Sequence, residues 1–340
     1  MIRRPPRSTL DRSSAASDVY KRQFIDSNDL KQYSSKFRDP IGVNYRGYSV
    51  YTQGPPSGGG ITFLTALNVL SYYNLGKYRK DSSLTYHLLA EALRRGHNNR
   101  SHHVGDPDYY DVPTEGLISK GRAKLLAKSI SFDKASKASS IQKYNHIEES
   151  KDTTHYSVID RDGNAVSNTY TLGYSFGSGV TIPGTGILMN NQMRNFSHFY
   201  GTEENTFGSS EANRLEPGKR MISTQTPTLV FDEDDNLMMI LGSPGGGRIP
   251  NIITQVISNV IDHGLSFTEA VMAPRINQRL EGKLQLENGF SPDTIKLLTE
   301  KEHTPESSMT MGSVQAVFLE NEKLYVVSDT IRPGSASIGD

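Results

Sequence analysis

The chain has 340 residues, long enough for one large domain or two ordinary ones, and its 35% apolar residues plus 30 glycines make a soluble globular composition. Lys and Arg number 37 and Asp and Glu 37, so there is no basic excess of the kind that marks a nucleic-acid binder. Cysteine is absent, which excludes disulfides, thiolate zinc sites, Fe–S ligation and a cysteine nucleophile together; the longest apolar stretches, near 61–70 and 252–261, fall short of the ~20 residues of a membrane helix.

Residues 1–23 carry six basic residues, two acidic ones and many serines, without the apolar core of a secretory signal. Their text resembles translated sequencing-adapter sequence, a transit peptide being the alternative, so the folded part is read from Phe24. Without them 31 basic side chains stand against 35 acidic ones, a mildly acidic balance.

Residues 45–52 have strand composition and run into Pro55-Pro56-Ser57-Gly58-Gly59-Gly60, after which Ile61, Leu64, Leu67 and Leu70 fall at helical spacing. Tyr86, Leu89 and Leu93 mark a second helix, Asp106-Pro107-Asp108 a turn, and Ser119 the cap of a short helix to Ile130. Residues 131–152 are rich in Ser and Lys with no apolar period, and read as an exposed linker. Two β-rich runs follow, 153–160 and 165–172, around Arg161-Asp162-Gly163-Asn164, a strong hairpin signal. A two-residue Asp162-Gly163 loop sets Thr154 opposite Thr171, so Thr153 and Thr171 meet at the open end within one residue of register. Further hairpins are expected over 228–242 and 314–328, and helices over 250–261, over 267–272 behind the capping box Ser266-x-x-Glu269, and from Pro292 behind Ser291.

Four places invite chemistry. In Asp152-Thr153-Thr154-His155 a polar linker stops at a strand that begins with threonine, the arrangement a self-cleaving N-terminal nucleophile requires. Once the preceding bond is cut, the freed α-amine titrates near 7.7–8 (about the ordinary value) and can take the proton of its own Oγ. Spacing alone equally fits β-branched strand residues and does not choose Thr153 over Thr154. Gly242-Ser243-Pro244-Gly245-Gly246-Gly247-Arg248, between a strand and a helix, lets backbone N–H groups approach an oxyanion, though a tight turn needs the same glycines, and the Gly-Lys-Ser/Thr ending of a phosphate loop is missing. Gly173-Tyr174-Ser175-Phe176-Gly177 matches a nucleophile elbow in form but leads into no helix. His97, His102 and His103, near Asp106, Asp108 and Asp111, lack metal-ligand spacing and read as a solvated loop; no metal site and no cofactor are expected.

Asp152-Thr153-Thr154-His155-Tyr156-Ser157-Val158, Asp162-Gly163-Asn164-Ala165-Val166, Thr169-Tyr170-Thr171-Leu172, the run from Gly186 to Met193 that ends in Asn190-Asn191-Gln192-Met193, and Gly242-Ser243-Pro244-Gly245-Gly246 resemble the γ-glutamyltranspeptidase family, as do Pro55-Pro56-Ser57-Gly58-Gly59 and Gly105-Asp106-Pro107-Asp108 upstream. The resemblance runs from about Phe24 to the end. It implies an α+β, N-terminal-nucleophile hydrolase fold, an αββα sandwich here incomplete at its N-terminus, with 24–152 the later part of a large subunit and 153–340 a small catalytic subunit. It also implies self-cleavage between Asp152 and Thr153, a heterodimer of the two products, and periplasmic or secreted location. The implied reaction moves a γ-glutamyl group from a glutathione-like donor to water, an amino acid or a peptide through an acyl-threonine. By the family pattern Thr171 supports Thr153, the N–H groups of Gly245 and Gly246 hold the oxyanion, and Ser223 and Thr224 bind the substrate α-carboxylate. Where the family usually has an Asn and an Asp on the substrate α-ammonium, this sequence has Gly173 and Asn195, leaving Gln192 as the matching polar contact. Glutaryl and cephalosporin acylases of the same fold are therefore the alternative within this chemistry, and a non-catalytic binding relative the alternative outside it. Because the family's precursors begin well upstream of Phe24, the 340 residues expressed alone are expected to be insoluble or inactive. Soluble protein that splits at Asp152/Thr153 and releases p-nitroaniline from γ-glutamyl-p-nitroanilide would overturn that expectation.

Overall fold

The structure is a computed structural model that describes residues 27–137, 140–141, 152–197, 210–308, 310–321, 323–330 and 335–338. It divides into residues 1–38, whose described part holds one short helix, α1 (Ser27–Gln32), and residues 39–340. The adapter-like segment 1–23 and most of the linker lie outside the described residues.

In the second unit a six-stranded antiparallel sheet has the order β1 (Ile41–Tyr45), β2 (Tyr48–Thr52), β5 (Thr228–Phe231), β6 (Leu237–Gly242), β10 (Gln315–Glu320), β11 (Lys323–Ser328). The single strand expected over 45–52 is a hairpin instead: the chain reverses at Arg46-Gly47, pairing Tyr45 with Tyr48. What composition hid is the anchor of that turn, where Arg46 Nε binds Asp262 Oδ1 at 2.6 Å and the Tyr45 hydroxyl donates to Asp262 Oδ2 at 2.5 Å.

Helices α2 (Gly58–Leu70), α3 (Ser83–His103), α4 (Thr114–Leu117), α5 (Lys120–Lys128), α6 (Ile249–Ile261), α7 (Phe267–Met272) and α8 (Pro292–Glu300) form, α5, α7 and α8 behind the expected serine caps and α3 behind Ser82. Ser82, Ser119, Ser266 and Ser291 each accept a backbone N–H three residues on, and Ser266 with Glu269 closes the reciprocal box. Helix α2 is buried along its whole length, its apolar sides packed in the core and its one polar row, Thr62, Thr65 and Asn68, hydrogen-bonded. Val50, Val230, Met239, Leu241 and Phe318 pack with Ile61, Leu64, Leu67, Leu88, Leu93, Ile253 and Ile257 into one core between helices and sheet. Ile240 and Val317, equally buried, alternate with those strand residues and so face the other side. There the hairpin of β3 (Asp152–Ile159) and β4 (Ala165–Gly173) lies across β6 and β10, giving helix, sheet and hairpin layers in turn. Its outward residues Tyr156, Val158, Val166 and Tyr170 are exposed, and among the described residues no helix covers them. A small three-stranded sheet, β7 (Ile276–Asn277), β8 (Leu284–Leu286) and β9 (Pro305–Ser307), gave no sequence signal because its strands are two or three residues long.

Two further expectations are corrected. The linker does not begin at 131: Ala135 N–H donates to the Lys301 carbonyl, and Ser136 bonds the buried Glu91 carboxylate, itself paired with Arg95 at 2.7 Å. His97 is no part of a solvated loop. It is buried inside α3 with Nε2 2.9 Å from Asn251 Oδ1, while His102 and His103 close the same helix.

A buried histidine pair joins the segment before Asp152 to the segment after it. His87 Nε2 donates to the Ser131 carbonyl at 2.7 Å, so its Nδ1 is the acceptor for the N–H of His303 Nε2 at 2.8 Å. His303 Nδ1 is left as a buried lone pair with no hydrogen-bond partner among the described residues. Both rings are therefore neutral. Burial lowers the His87 pKa, and burial together with the neighbouring imidazole takes His303 down to about 4. A histidine with a depressed folded-state pKa takes up its proton sooner when unfolded, so the stability it supports is complete above about pH 6.5 and is lost as the pH falls toward 4. The melting temperature is expected to fall over that window, and His303→Gln to flatten the fall. Parallel melting-versus-pH curves for parent and variant would contradict this assignment.

Candidate active site

The β3–β4 hairpin turns one residue differently from the sequence expectation. Asp160 N–H donates to the Asn164 carbonyl, so the loop has three residues, 161–163, with Gly163 in the left-handed region. The Asp160 carboxylate fixes it by accepting the N–H groups of Asp162 and Asn164 at 3.0 and 2.8 Å and the Asn164 side chain at 2.8 Å. Paired positions run Ile159 with Ala165 down to Thr154 with Tyr170, one off the expected register. The offset disappears at the open end, where a bulge brings Asp152 opposite Gly173. Thr153 sits in that bulge, opposite Thr171 and Leu172, and is half-buried, whereas Thr154 is exposed on the outer face.

The strand partner of Thr153 is itself tied down. Thr171 Oγ1 accepts the Gly173 N–H at 2.9 Å, and the Thr171 carbonyl accepts the Gln192 side-chain amide at 2.8 Å. Gly173 is conformationally necessary: its φ is +95°, and a Cβ there would lie on Asn191 Oδ1, which accepts the Tyr174 N–H. Asn191 thus occupies the space a side chain at position 173 would need. Asn195 donates from Nδ2 to the Ile222 carbonyl at 3.2 Å, next to Ser223 and Thr224. Those two residues are held by the loop that opens α2: Gly58 N–H donates to the Ser223 carbonyl, Ser223 N–H to the Pro56 carbonyl, and the Ser57 hydroxyl to the Gln225 carbonyl at 2.6 Å. The motif 55–59 therefore serves to seat 223–225. The Arg194 guanidinium stacks 4.2 Å from the centre of the Tyr174 ring beside this cluster.

After β6 the chain turns through Ser243 and Pro244 into Gly245 and Gly246, with φ of +138° and +56°. Positive φ at both positions suits glycine, and the turn leads through a short 3-10 segment into α6. The turn is braced from behind, since the Ser243 hydroxyl donates to the Pro244 carbonyl and accepts the Ser313 N–H.

Pro244 meets Thr153 across a cleft of about 360 Å³ that follows β3 on the flank away from β4. Its walls include Thr153, Thr154, His155, Ser157 and Gln315 with Ser313, Ser328 and Ser335, and among the described residues no Asp, Glu, Lys or Arg lines it. Thr171, Gly173, Gln192, Asn195, Ser223, Thr224, Gly245 and Gly246 lie outside its lining. The sequence-derived residues thus fall into three groups: Thr153, Thr171 and Gln192 across the hairpin; Asn195, Ser223 and Thr224 on the α2 loop; and Gly245 and Gly246 beyond Pro244. The Asp152 side chain is outside the described set. One residue with a place in the site drew no notice as a residue in its own right: His155, buried two positions after Thr153, signalled only by its i+2 spacing on a strand.

Gly173→Ala is expected to lower the unfolding free energy by roughly 1–3 kcal/mol, the cost of a strained backbone. The readout is the urea midpoint, and an unchanged midpoint would mean that Asn191 has another seat.

A family model described as γ-glutamyltranspeptidase matches residues 18–339. The glutathione hydrolase proenzyme of Escherichia coli (strain K12) is 42% identical over 311 residues, 90% of this chain and 53% of that protein. The Acylase ACY 1 proenzyme of Pseudomonas sp. (strain SE83) is 35% identical over 295 residues, 86% of this chain and 50% of its own length. Among solved structures, the cephalosporin acylase from Bacillus halodurans superposes with a TM-score of 0.78 at 27% identity, covering 94% of this chain and 57% of that one. The chain spans about half the length of the curated relatives it matches. On the strength of the family-wide match and its N-terminal-nucleophile α+β fold, the chain belongs to the γ-glutamyltranspeptidase family.

Proposed function

We propose that this chain carries the catalytic machinery of a γ-glutamyl hydrolase or acyltransferase that cuts itself between Asp152 and Thr153. The observation that carries the reading is the bulge that places Thr153 opposite Thr171 and across a cleft from the Pro244-Gly245-Gly246 turn. In self-cleavage Thr153 Oγ attacks the Asp152 carbonyl carbon, the peptide nitrogen leaves as the α-amine, and water hydrolyses the ester. In turnover that amine takes the Oγ proton while Oγ attacks the γ-glutamyl amide of a glutathione-like donor. The tetrahedral oxyanion is met by the N–H groups of Gly245 and Gly246, each such donor contributing about 10²–10³ in rate. The donor amine leaves with a proton, and water or an acceptor amine then resolves the acyl-threonine.

The sheet explains how two products stay together. β1 and β2, from before the cut, extend the same sheet as β5, β6, β10 and β11 from after it, with β2 hydrogen-bonded to β5 along four residue pairs. A large–small heterodimer follows without any new interface. Export to the periplasm or beyond belongs to the same proposal and rests on family resemblance alone.

A second reading concerns the acyl group. Gly173 and Asn195 stand where the family usually has its ammonium-binding pair, and Asn191 fills the space at 173. A charged hydrogen bond of that kind is worth roughly 1.5–3 kcal/mol, one to two decades of selectivity. This favours acyl groups without an α-ammonium, as in a glutaryl acylase.

Expressed from the complete gene, the protein is expected to show a new N-terminus at Thr153 by mass spectrometry, and Thr153→Ala to stay uncut and turn nothing over. An uncut parent would support the binding-relative alternative. Side-by-side kcat/KM values for γ-glutamyl- and glutaryl-p-nitroanilide separate the two acyl readings: a γ-glutamyl preference above about 10-fold would rule out the second.

A further inference from the structure

His155 lies two residues after Thr153 on the same face of β3 and is almost wholly buried. Its hydrogen bonds fix its tautomer. The Ser157 hydroxyl donates its one proton to the Gln315 carbonyl at 3.1 Å, so the 3.1 Å contact between Nε2 and Ser157 Oγ is an imidazole N–H donated to Ser157. Nδ1 then carries the lone pair and accepts the Thr169 hydroxyl at 2.9 Å. The ring edge rests on Gly242: a Cβ built there would fall 2.4 Å from Nδ1 and closer still to Cε1, so only glycine admits the ring. Gly242 is the last residue of β6 and the first of the turn that presents Gly245 and Gly246. One imidazole thus touches β4 through Thr169, β10 through Ser157 and the end of β6 directly, from a position on the strand that begins at the nucleophile.

We propose that His155 is a positioning residue for the reaction, a spacer that sets the distance between Thr153 and the N–H groups of Gly245 and Gly246. The proposal rests on the N-terminal-nucleophile reading above. Both ring nitrogens are engaged away from Thr153, and burial takes the imidazole pKa down to about 4, so the ring stays uncharged near neutrality and is not the base for Oγ. An apolar residue of similar volume could fill the same space. A ring bonded at both nitrogens cannot rotate, and that fixes the gap on either side of it. Errors of about 1 Å in such a gap cost about 10²-fold in rate without changing how substrate is held.

The test is a double-mutant cycle on the protein from the complete gene, with His155→Ala, Gly242→Ala and both together. Each single variant is expected to lower kcat and the rate of self-cleavage about 10²-fold, with donor KM within about twofold of the parent. In the double variant the new methyl takes up the space left by the ring, and kcat recovers about 10-fold over either single. Crystal structures of parent and His155→Ala, which do not depend on turnover, should show the separation of Thr153 from Gly245 changed by about 1 Å. Additive losses, losses confined to KM or to melting temperature, or an unchanged separation would each overturn the proposal. An inert parent overturns the catalytic reading instead, and the crystallographic comparison still decides the role of His155.

Discussion

The polar seam between the β3–β4 hairpin and the six-stranded sheet is the constraint on which the site depends. On the helix side the sheet is held by a continuous apolar core that tolerates small slips in position. On the hairpin side the inward residues are His155, Ser157, Ser167 and Thr169, and they meet the sheet through named bonds. Ser167 Oγ donates to the Leu241 carbonyl and accepts the Thr228 N–H, while Ser157 bonds Gln315. Each buried polar group left without its partner costs about 1–3 kcal/mol. A one-residue slip along a strand turns every side chain to the opposite face, so such a slip would break all of these bonds at once and bury Tyr156, Val158 and Tyr170 in their place. The seam therefore specifies register in a way an apolar interface could not, and register decides where Thr153 stands relative to Thr171.

This also shows where the sequence was legible. Helix starts were readable because a capping serine acts within four residues, and Ser119, Ser266 and Ser291 do what their spacing says. The hairpin was readable from Asp162-Gly163, but its register was not, because the choice between a two- and a three-residue loop lies with Asp160, whose carboxylate gathers N–H groups from both sides of the turn. The same device closes β5 onto β6, where Asp232 accepts the N–H groups of Asp234 and Asn236. What pattern could not show was any long-range tie: Arg46 reaching Asp262, Ser57 reaching Gln225, His87 reaching His303. The motif residues were recognisable one by one, and apart from the Thr153–Thr171 pairing their grouping came from tertiary contacts, some across about twenty residues and some across more than a hundred.

The chain order of the sheet carries a second consequence. Strands from before and after Asp152 share one sheet, and helices from both segments pack together, α2 on α6 and α3 on α8. A chain cut between 152 and 153 would keep this shared sheet and core, with the stretch up to Ser136 anchored on Glu91 and Arg95.

The bulge at Thr153 fits the same logic. In a regular antiparallel ladder the amide groups on either side of a residue are held by the partner strand, and a hydroxyl could reach the preceding carbonyl only by breaking those bonds. Here the ladder passes from Asp152 opposite Gly173 to Thr154 opposite Tyr170, and Thr153 has no one-to-one partner. The extra residue of this bulge is on β4, where Thr171 and Leu172 together face Thr153, so the irregularity of the ladder falls at Thr153. The left-handed Gly173 and the Asn191 that fills its place hold the far side of the bulge. A side chain at 173 would compete with Asn191 for that place and shift the end of β4 against which Thr153 is set. Gly173 thus shapes the strand end beside Thr153, and a side chain at 173 would require changing Asn191 as well.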